Sequence, residues 1–314
     1  MLSLHRYMQL YTMSSPILRG RRQRLAKLVA CLPVLIGLWS LLPSAGHAQR
    51  IVYDSVKVSG HLRHYYMYLP DGLQENAPLV FALHGYGSRG DVNTWMNEAS
   101  KRHGFALCVP VGLPDPKGNC SWNVGYPFQA GWKVNDVETM CRLAAHVQKK
   151  YRLSKDRTYL TGMSNGGEMC YLLAYSKQTT FKALASLAGL TLVWMYNELE
   201  APRSIPFLEI HGTEDRTSEW TGDLTNAGGW GAYLPVDIAI GYLVARNRCQ
   251  EGQVSVEQGK SKQGQSRTIV KTRYINPTTH HDVWLYKIVG APHCWFTDDI
   301  DTGEEVWKFF QQYN

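Results

Sequence analysis

The stretch Leu160-Thr161-Gly162-Met163-Ser164-Asn165-Gly166-Gly167 decides the fold. A short strand-like run, Arg157 to Leu160, precedes it, and a helix-like run, Glu168 to Ser176, follows it. Gly-x-Ser-x-Gly set between a strand and a helix is the spelling of a nucleophile elbow. There the serine sits on a sharp, strained turn that lifts its hydroxyl clear of the sheet. Glycines flank it because side chains there collide with the adjoining strand and helix. Ordinary glycine-rich turns share the short pattern, so the surrounding sequence has to carry the assignment.

That sequence alternates strands with helices. Ile51 to Val58 and His61 to Leu69 are β-rich runs, with a hairpin expected around Gly60. Leu79 to Leu83 and Phe105 to Val111 are continuous apolar runs, as buried parallel strands are. Asn135 to Tyr151 carries an apolar helical face, with Asn135 or Asp136 as its cap. Thr158 to Thr161 leads into the elbow, and Ala183 to Leu190 and Ile205 to Ile210 read as further strands. Val236 to Arg246 is a helix, Val283 to Val289 a late strand and Glu304 to Tyr313 a closing helix. The polar stretch Glu251 to Arg267 reads as a surface loop or hairpin. The pattern predicts one α/β domain over residues 49–314, built on a mostly parallel sheet with helices on both faces. Its active site belongs at the carboxyl ends of the strands.

A serine hydroxyl needs an imidazole to accept its proton and a carboxylate to orient that imidazole. In the α/β-hydrolase fold these follow in the order Ser, acid, His. Strand Ile205 to Ile210 runs into His211-Gly212-Thr213-Glu214-Asp215, which makes Asp215 the expected acid, with Glu214, Asp223 and Asp237 as rivals. His293, in the Gly290-Ala291-Pro292-His293 turn after the last strand, is the expected base. His280 and His281 precede that strand and fall at the wrong end of the sheet. The oxyanion hole calls for the N–H of Asn165, after the nucleophile, and an N–H from His84-Gly85-Tyr86-Gly87, for which Tyr86 is favoured. His84 reads as a structural hydrogen-bonder. Aromatic side chains crowd the connecting loops. Trp122 and Trp220 each follow a strand end and are the expected ligand contacts, although core packing is the commoner fate of a tryptophan. No Cys/His spacing calls for zinc, and no metal or cofactor is expected.

The first 48 residues read as a signal peptide. Arg19, Arg21, Arg22, Arg24 and Lys27 are followed by an apolar run, Leu28 to Leu42, and by small residues placed for cleavage after Ala48. Met8 and Met13 are alternative starts. The run is short for a membrane span. The apolar segment lies after Cys31, against a lipobox, and Arg24 weakens a twin-arginine reading. The net charge of +7 belongs largely to this leader. The rest is close to neutral, which gives no basis for nucleic-acid binding. Six cysteines lie beyond the leader: Cys108, Cys120, Cys141, Cys170, Cys249 and Cys294. In an exported chain that even number permits disulfides, with Cys141 and Cys170 also readable as buried thiols.

Leu83-His84-Gly85-Tyr86-Gly87, Cys120-Ser121-Trp122-Asn123, Val134-Asn135-Asp136-Val137, the elbow and His211-Gly212-Thr213-Glu214-Asp215 together resemble the polyhydroxybutyrate-depolymerase-like esterases. That group includes the feruloyl and acetylxylan esterases of carbohydrate esterase family 1. The resemblance covers roughly residues 52 to 312. It implies Ser164 as nucleophile, Asp215 as acid and His293 as base. It also implies an exported enzyme that removes feruloyl or acetyl groups from plant-wall polysaccharide through an acyl-enzyme. A polyester depolymerase, a prolyl-oligopeptidase-like peptidase and an inactive carbohydrate-binding homologue are the alternatives. Ala291-Pro292 before His293 and Cys294 after it depart from the family pattern. A bridge from Cys294 to Cys249 is the one pairing considered.

Overall fold

The computed structural model describes residues 49–199, 203–250, 252–260, 264 and 266–314; the expected leader lies outside them. The described chain begins with a hairpin of β1 (Arg50–Val58) and β2 (His61–Leu69). Its turn residues Ser59 and Gly60 both have positive φ, 47° and 88°. Such turns match the twist of the flanking strands. The apolar runs follow as β3 (Leu79–Leu83) and β4 (Ala106–Pro110), buried along their whole length. A small ribbon, β5 (Leu113–Pro114) with β6 (Cys120–Ser121), stands apart from the main sheet. The remaining strands are β7 (Thr158–Met163), β8 (Leu184–Leu187), β9 (Phe207–Gly212), β10 (Gln253–Gln258), β11 (Thr268–Tyr274) and β12 (Val283–Ile288).

The main sheet runs β1-β2-β4-β3-β7-β8-β9-β12-β11-β10. Strands β4 through β12 in that order are parallel, and antiparallel hairpins extend both ends. Beyond β3 the chain moves first to β4 on one side and later to β7 on the other. The crevice at that reversal is where open α/β sheets bind ligands.

The helices are α1 (Asn97–His103), α2 (Asp136–Tyr151), α3 (Asn165–Tyr175), α4 (Val193–Glu198), α5 (Val236–Arg246) and α6 (Thr302–Phe310). One core joins a face of the sheet to α2, α3, α4 and α5, and a second joins the opposite face to α1 and α6. Both faces are covered, which is why the central strands are apolar without alternation. This is the α/β-hydrolase architecture. Asn135 caps α2, its side chain accepting from the Glu138 N–H. Its neighbour Asp136 is buried and paired with Arg63 of β2 at 2.6 Å. The other Asp136 oxygen accepts the Asn123 N–H at 2.7 Å, which ties the loop before α2 to the sheet.

Several elements escape the sequence reading, α4 and the β5–β6 ribbon among them. α1, Asn-Glu-Ala-Ser-Lys-Arg-His, is too short and polar to show an apolar stripe. β11 hides Lys271 among its inward positions, where its ammonium pairs with Glu257 and Glu305. Glu251 to Arg267 proves to contain an exposed edge strand, β10.

The expected disulfides are not formed. All six cysteines among the described residues are free thiols. Cys170 is buried in α3 with Sγ at 3.3 Å from the Gly166 and Ala185 carbonyls. Cys249 faces the His281 carbonyl, whereas Cys294 lies against the Phe296 N–H, so the pair considered is engaged elsewhere. Among the described residues no helix is long and apolar enough to cross a membrane.

Candidate active site

Ser164 sits between β7 and α3 with φ 56° and ψ −122°, a conformation that L-residues avoid. The close approach of strand and helix imposes it. A Cβ on Gly162 would lie 2.5 Å from the Gly166 carbonyl carbon. The Ser164 N–H donates to Leu187 O at 2.8 Å, which anchors the turn to β8. Asn165 opens α3, so its N–H has no partner within the helix. The Gly85–Tyr86 segment is adjacent, because a Cβ on Gly85 would lie 3.4 Å from Ser164 Cβ.

Asp215 and His293 meet across the ends of β9 and β12. His293 Nδ1 donates to Asp215 Oδ2 at 2.6 Å. Asp215 is buried, and its other oxygen accepts the N–H groups of Thr217 and Ser218, both at 2.8 Å. The carboxylate is thereby fixed and the imidazole left with Nε2 free of the acid. Gly212 allows the two loops to close: a Cβ there would lie 2.2 Å from Ala291 O. The rival acids are engaged otherwise. Glu214 is exposed, Asp223 accepts from Thr225 and Gly228, and Asp237 accepts from Trp220. His281 contacts Ser204.

A second carboxylate–imidazole pair lies behind Asp215. Glu209 and His211 alternate along β9 and so share a face. His211 Nδ1 lies 2.8 Å from Glu209 Oε1, and Nε2 lies 2.7 Å from Ser218 O and 3.8 Å from Asp215 Oδ2. Burial pushes the Glu209 carboxyl up. Burial disfavours the His211 cation, but the Glu209 contact outweighs it and raises the imidazole overall. The pair braces the Ser218 turn that holds the acid. The i, i+2 spacing of Glu and His in an apolar strand is the signal that sequence reasoning passed over.

His84 is a neutral brace. Its Nδ1 donates to Gly85 O at 2.8 Å and its Nε2 accepts the Gly112 N–H at 2.9 Å. Burial pushes its pKa down to about 4, which suits a ring that must accept at Nε2. The Tyr86 hydroxyl donates to Asp115 at 2.8 Å and accepts from Asn119 at 3.0 Å, so the side chain shapes the loop.

Of the two expected ligand tryptophans, Trp122 needs correction. Trp122 has no exposed surface. Its indole N–H donates to His84 O at 2.9 Å, and its backbone N–H donates to Asn165 Oδ1 at 2.7 Å. The strand end it follows is inside the core, so it braces the elbow. Trp220 is 9 % exposed, donates to Asp237 at 3.0 Å and is capped by the Lys287 ammonium 4.7 Å from its ring centre. It nevertheless lines an open pocket with Thr213, Glu214 and Asp215, beside the acid.

The cavity beside Ser164 is closed instead by Tyr126, Glu168, Leu190 and Trp230, with Thr217 and Ser218 at its edge. It has room for about one water-sized group. Glu168 is fully buried and accepts a hydrogen bond from the Tyr126 hydroxyl. Burial pushes its carboxyl up to about 8 from an ordinary 4.5. A glutamate in a helix whose every other residue is buried was the available signal. The folded state therefore keeps a proton that the unfolded chain releases. The stability this gives is full below the unfolded pKa and is lost as pH rises through the folded one. Each unit is worth about 1.4 kcal/mol. Glu168→Gln keeps the shape without the titration. It is expected to match wild type in thermal unfolding at acid pH and to exceed it by a few kcal/mol, about 1.4 per pKa unit, at alkaline pH. Parallel pH-dependent melting curves would count against this.

The geometry has counterparts in known proteins. The Esterase family model matches residues 57–311. The bifunctional acetylxylan esterase/xylanase XynS20E of Neocallimastix patriciarum is 25 % identical over 169 residues, 53 % of this chain and 23 % of that protein. The chain thus spans about a quarter of that relative. The Probable feruloyl esterase C of Aspergillus niger is 26 % identical over 236 residues, 72 % of this chain and 76 % of that protein. An acetyl xylan esterase from Aspergillus awamori shares the fold, with a TM-score of 0.57 at 13 % identity over 84 % of this chain and 100 % of that one. Family match and fold agree: the chain belongs to the Esterase family and has the α/β-hydrolase fold.

Proposed function

We propose that the protein is an exported serine esterase that deacylates plant-wall polysaccharide, with acetylated xylan as its substrate class. Ser164 attacks the ester carbonyl while His293 Nε2 takes its proton and Asp215 holds the imidazolium at Nδ1. The N–H groups of Asn165 and Tyr86 receive the developing oxyanion, each donor typically worth roughly 2.7–4 kcal/mol in the transition state. His293 then passes the proton to the departing sugar hydroxyl, and water releases the acid from Ser164. The leader-like residues 1–48 support export.

The narrow cavity at Ser164 carries the choice of acyl group. Room for about one water-sized group suits an acetyl methyl and not a phenylpropenoyl ring. Feruloyl is the second reading. It is supported by the likeness to the A. niger protein and requires Trp230 to move aside. Acetate and ferulate release from acetylated and feruloylated arabinoxylan, measured side by side, tests the choice. Acetate release at least about tenfold faster in kcat/KM is expected, a difference of about 1.4 kcal/mol at the transition state. Faster ferulate release would overturn the acetyl assignment.

A further inference from the structure

The cavity at Ser164 is sized for the acyl half of an ester, and the alcohol half needs a separate place. An open groove of ≈ 310 Å³ lies between the loop that follows β3 and the loop that carries His293. Trp95 and Trp295 form its aromatic wall, with ring centres 5.8 Å apart and planes inclined by 39°. Neither ring is fully buried. Ser88, Asp91, Asn93 and Thr297 line it as well, all exposed. The mechanism uses none of these six residues.

Position and chemistry indicate an occupant. The base that protonates the leaving oxygen is His293, so the alcohol must lie on that side of the serine. Trp295 follows His293 closely on the same loop. Leu83 and His84, at the floor of the groove, lead directly into the segment that offers the oxyanion donor. The lining pairs flat apolar faces with hydroxyl, amide and carboxylate groups, the combination that holds a ring with a C–H face and hydroxyls on its rim. Asp91 is its charged group; no Lys or Arg lines it among the described residues, and His84 is neutral. A neutral alcohol therefore fits better than an anionic one.

We infer that this groove is the leaving-group subsite and that it binds a neutral pyranose ring of the departing saccharide between Trp95, Trp295 and the Asp91 rim. The inference rests on the polysaccharide-esterase reading. It makes the alcohol, and not the acyl group, the part of the substrate recognised by aromatic stacking.

The test separates the two. Ser164→Ala protein, which binds without turnover, is titrated with unacylated xylotriose in a calorimeter, alone and with Trp95→Ala or Asp91→Ala added. Active enzyme with the same two changes is assayed on acetylated xylotriose and on methyl acetate, which has no ring in its alcohol. The expected result is weaker xylotriose binding by about tenfold in the tryptophan variant. A similar fall is expected in the ratio of kcat/KM for the sugar acetate to that for methyl acetate. Asp91→Ala removes an exposed side chain and its hydrogen bond from the Asn93 N–H, outside the core, and gives a smaller fall in the same direction, so the test survives if Trp95→Ala does not fold. Wild-type cleavage of the sugar acetate with unchanged binding and ratio in the soluble variants overturns the subsite and leaves the enzyme's substrate class standing. Cleavage of methyl acetate but not of the sugar acetate by wild type overturns the substrate class, and the subsite with it.

Discussion

Ser164→Ala lowers turnover by on the order of 10⁶ while leaving the fold intact. The size follows from the unit that serine, imidazole and carboxylate form. Without the nucleophile, His293 has no proton to take from the protein and the acyl-enzyme cannot form. The residual rate comes from the oxyanion donors and from binding alone. The backbone at Ser164 is held by its N–H to Leu187 O and by the strand–helix contact at Gly162, neither of which involves the hydroxyl. Alanine tolerates the positive φ no worse than serine, so melting is expected to be nearly unchanged. Steady-state assay with an aryl acetate, unfolding curves and labelling by a fluorophosphonate probe check the three parts. Labelling that persists in Ser164→Ala would move the nucleophile elsewhere and would falsify the assignment.

Asp215→Asn lowers kcat by on the order of 10⁴, less than loss of the serine and for a different reason. The wild-type carboxylate accepts from His293 Nδ1 at 2.6 Å, which leaves Nε2 unprotonated and able to accept. Asparagine can keep its oxygen toward the Thr217 and Ser218 N–H groups, as Asp215 Oδ1 does now. Its amide then presents a donor to Nδ1 and favours the tautomer with the proton on Nε2, which cannot accept from serine. The imidazolium of the transition state also loses its counter-charge. The expected signature is a fall in kcat with KM little changed and ligand binding to the variant retained. A loss no greater than about tenfold would mean that another carboxylate supports His293. Glu214, exposed on the same turn, is the first to examine.

Much of this site is legible before folding, and the reason is local. The elbow is a short-range motif: its glycines answer to contacts between a strand and the helix that directly follows it. Asp215 and His293 are legible because each follows a strand of a parallel sheet, and parallel strands deliver their carboxyl ends to one edge. The expectation that fails involves burial. Trp122 stands where a ligand contact is expected, yet it is sealed in the core. At the acyl cavity, Tyr126 and Trp230 belong to the aromatics that crowd the loops, but Glu168 is not legible, because its meaning depends on neighbours distant in sequence. Tyr126 reaches Glu168 across the loop before α2, and Trp230 arrives from the segment after β9.

The sequence by itself therefore determined the α/β-hydrolase architecture and which carboxylate and histidine meet beyond β9 and β12, whereas the strand order came from the structure. Periodicity and turn chemistry act over a few residues, and the sheet carries them to one edge. Only the tertiary structure decided which aromatics face solvent, how little room remains beside Ser164 and that six cysteines stay apart. Those properties are distances between side chains from separate elements, and packing settles them once the elements have met.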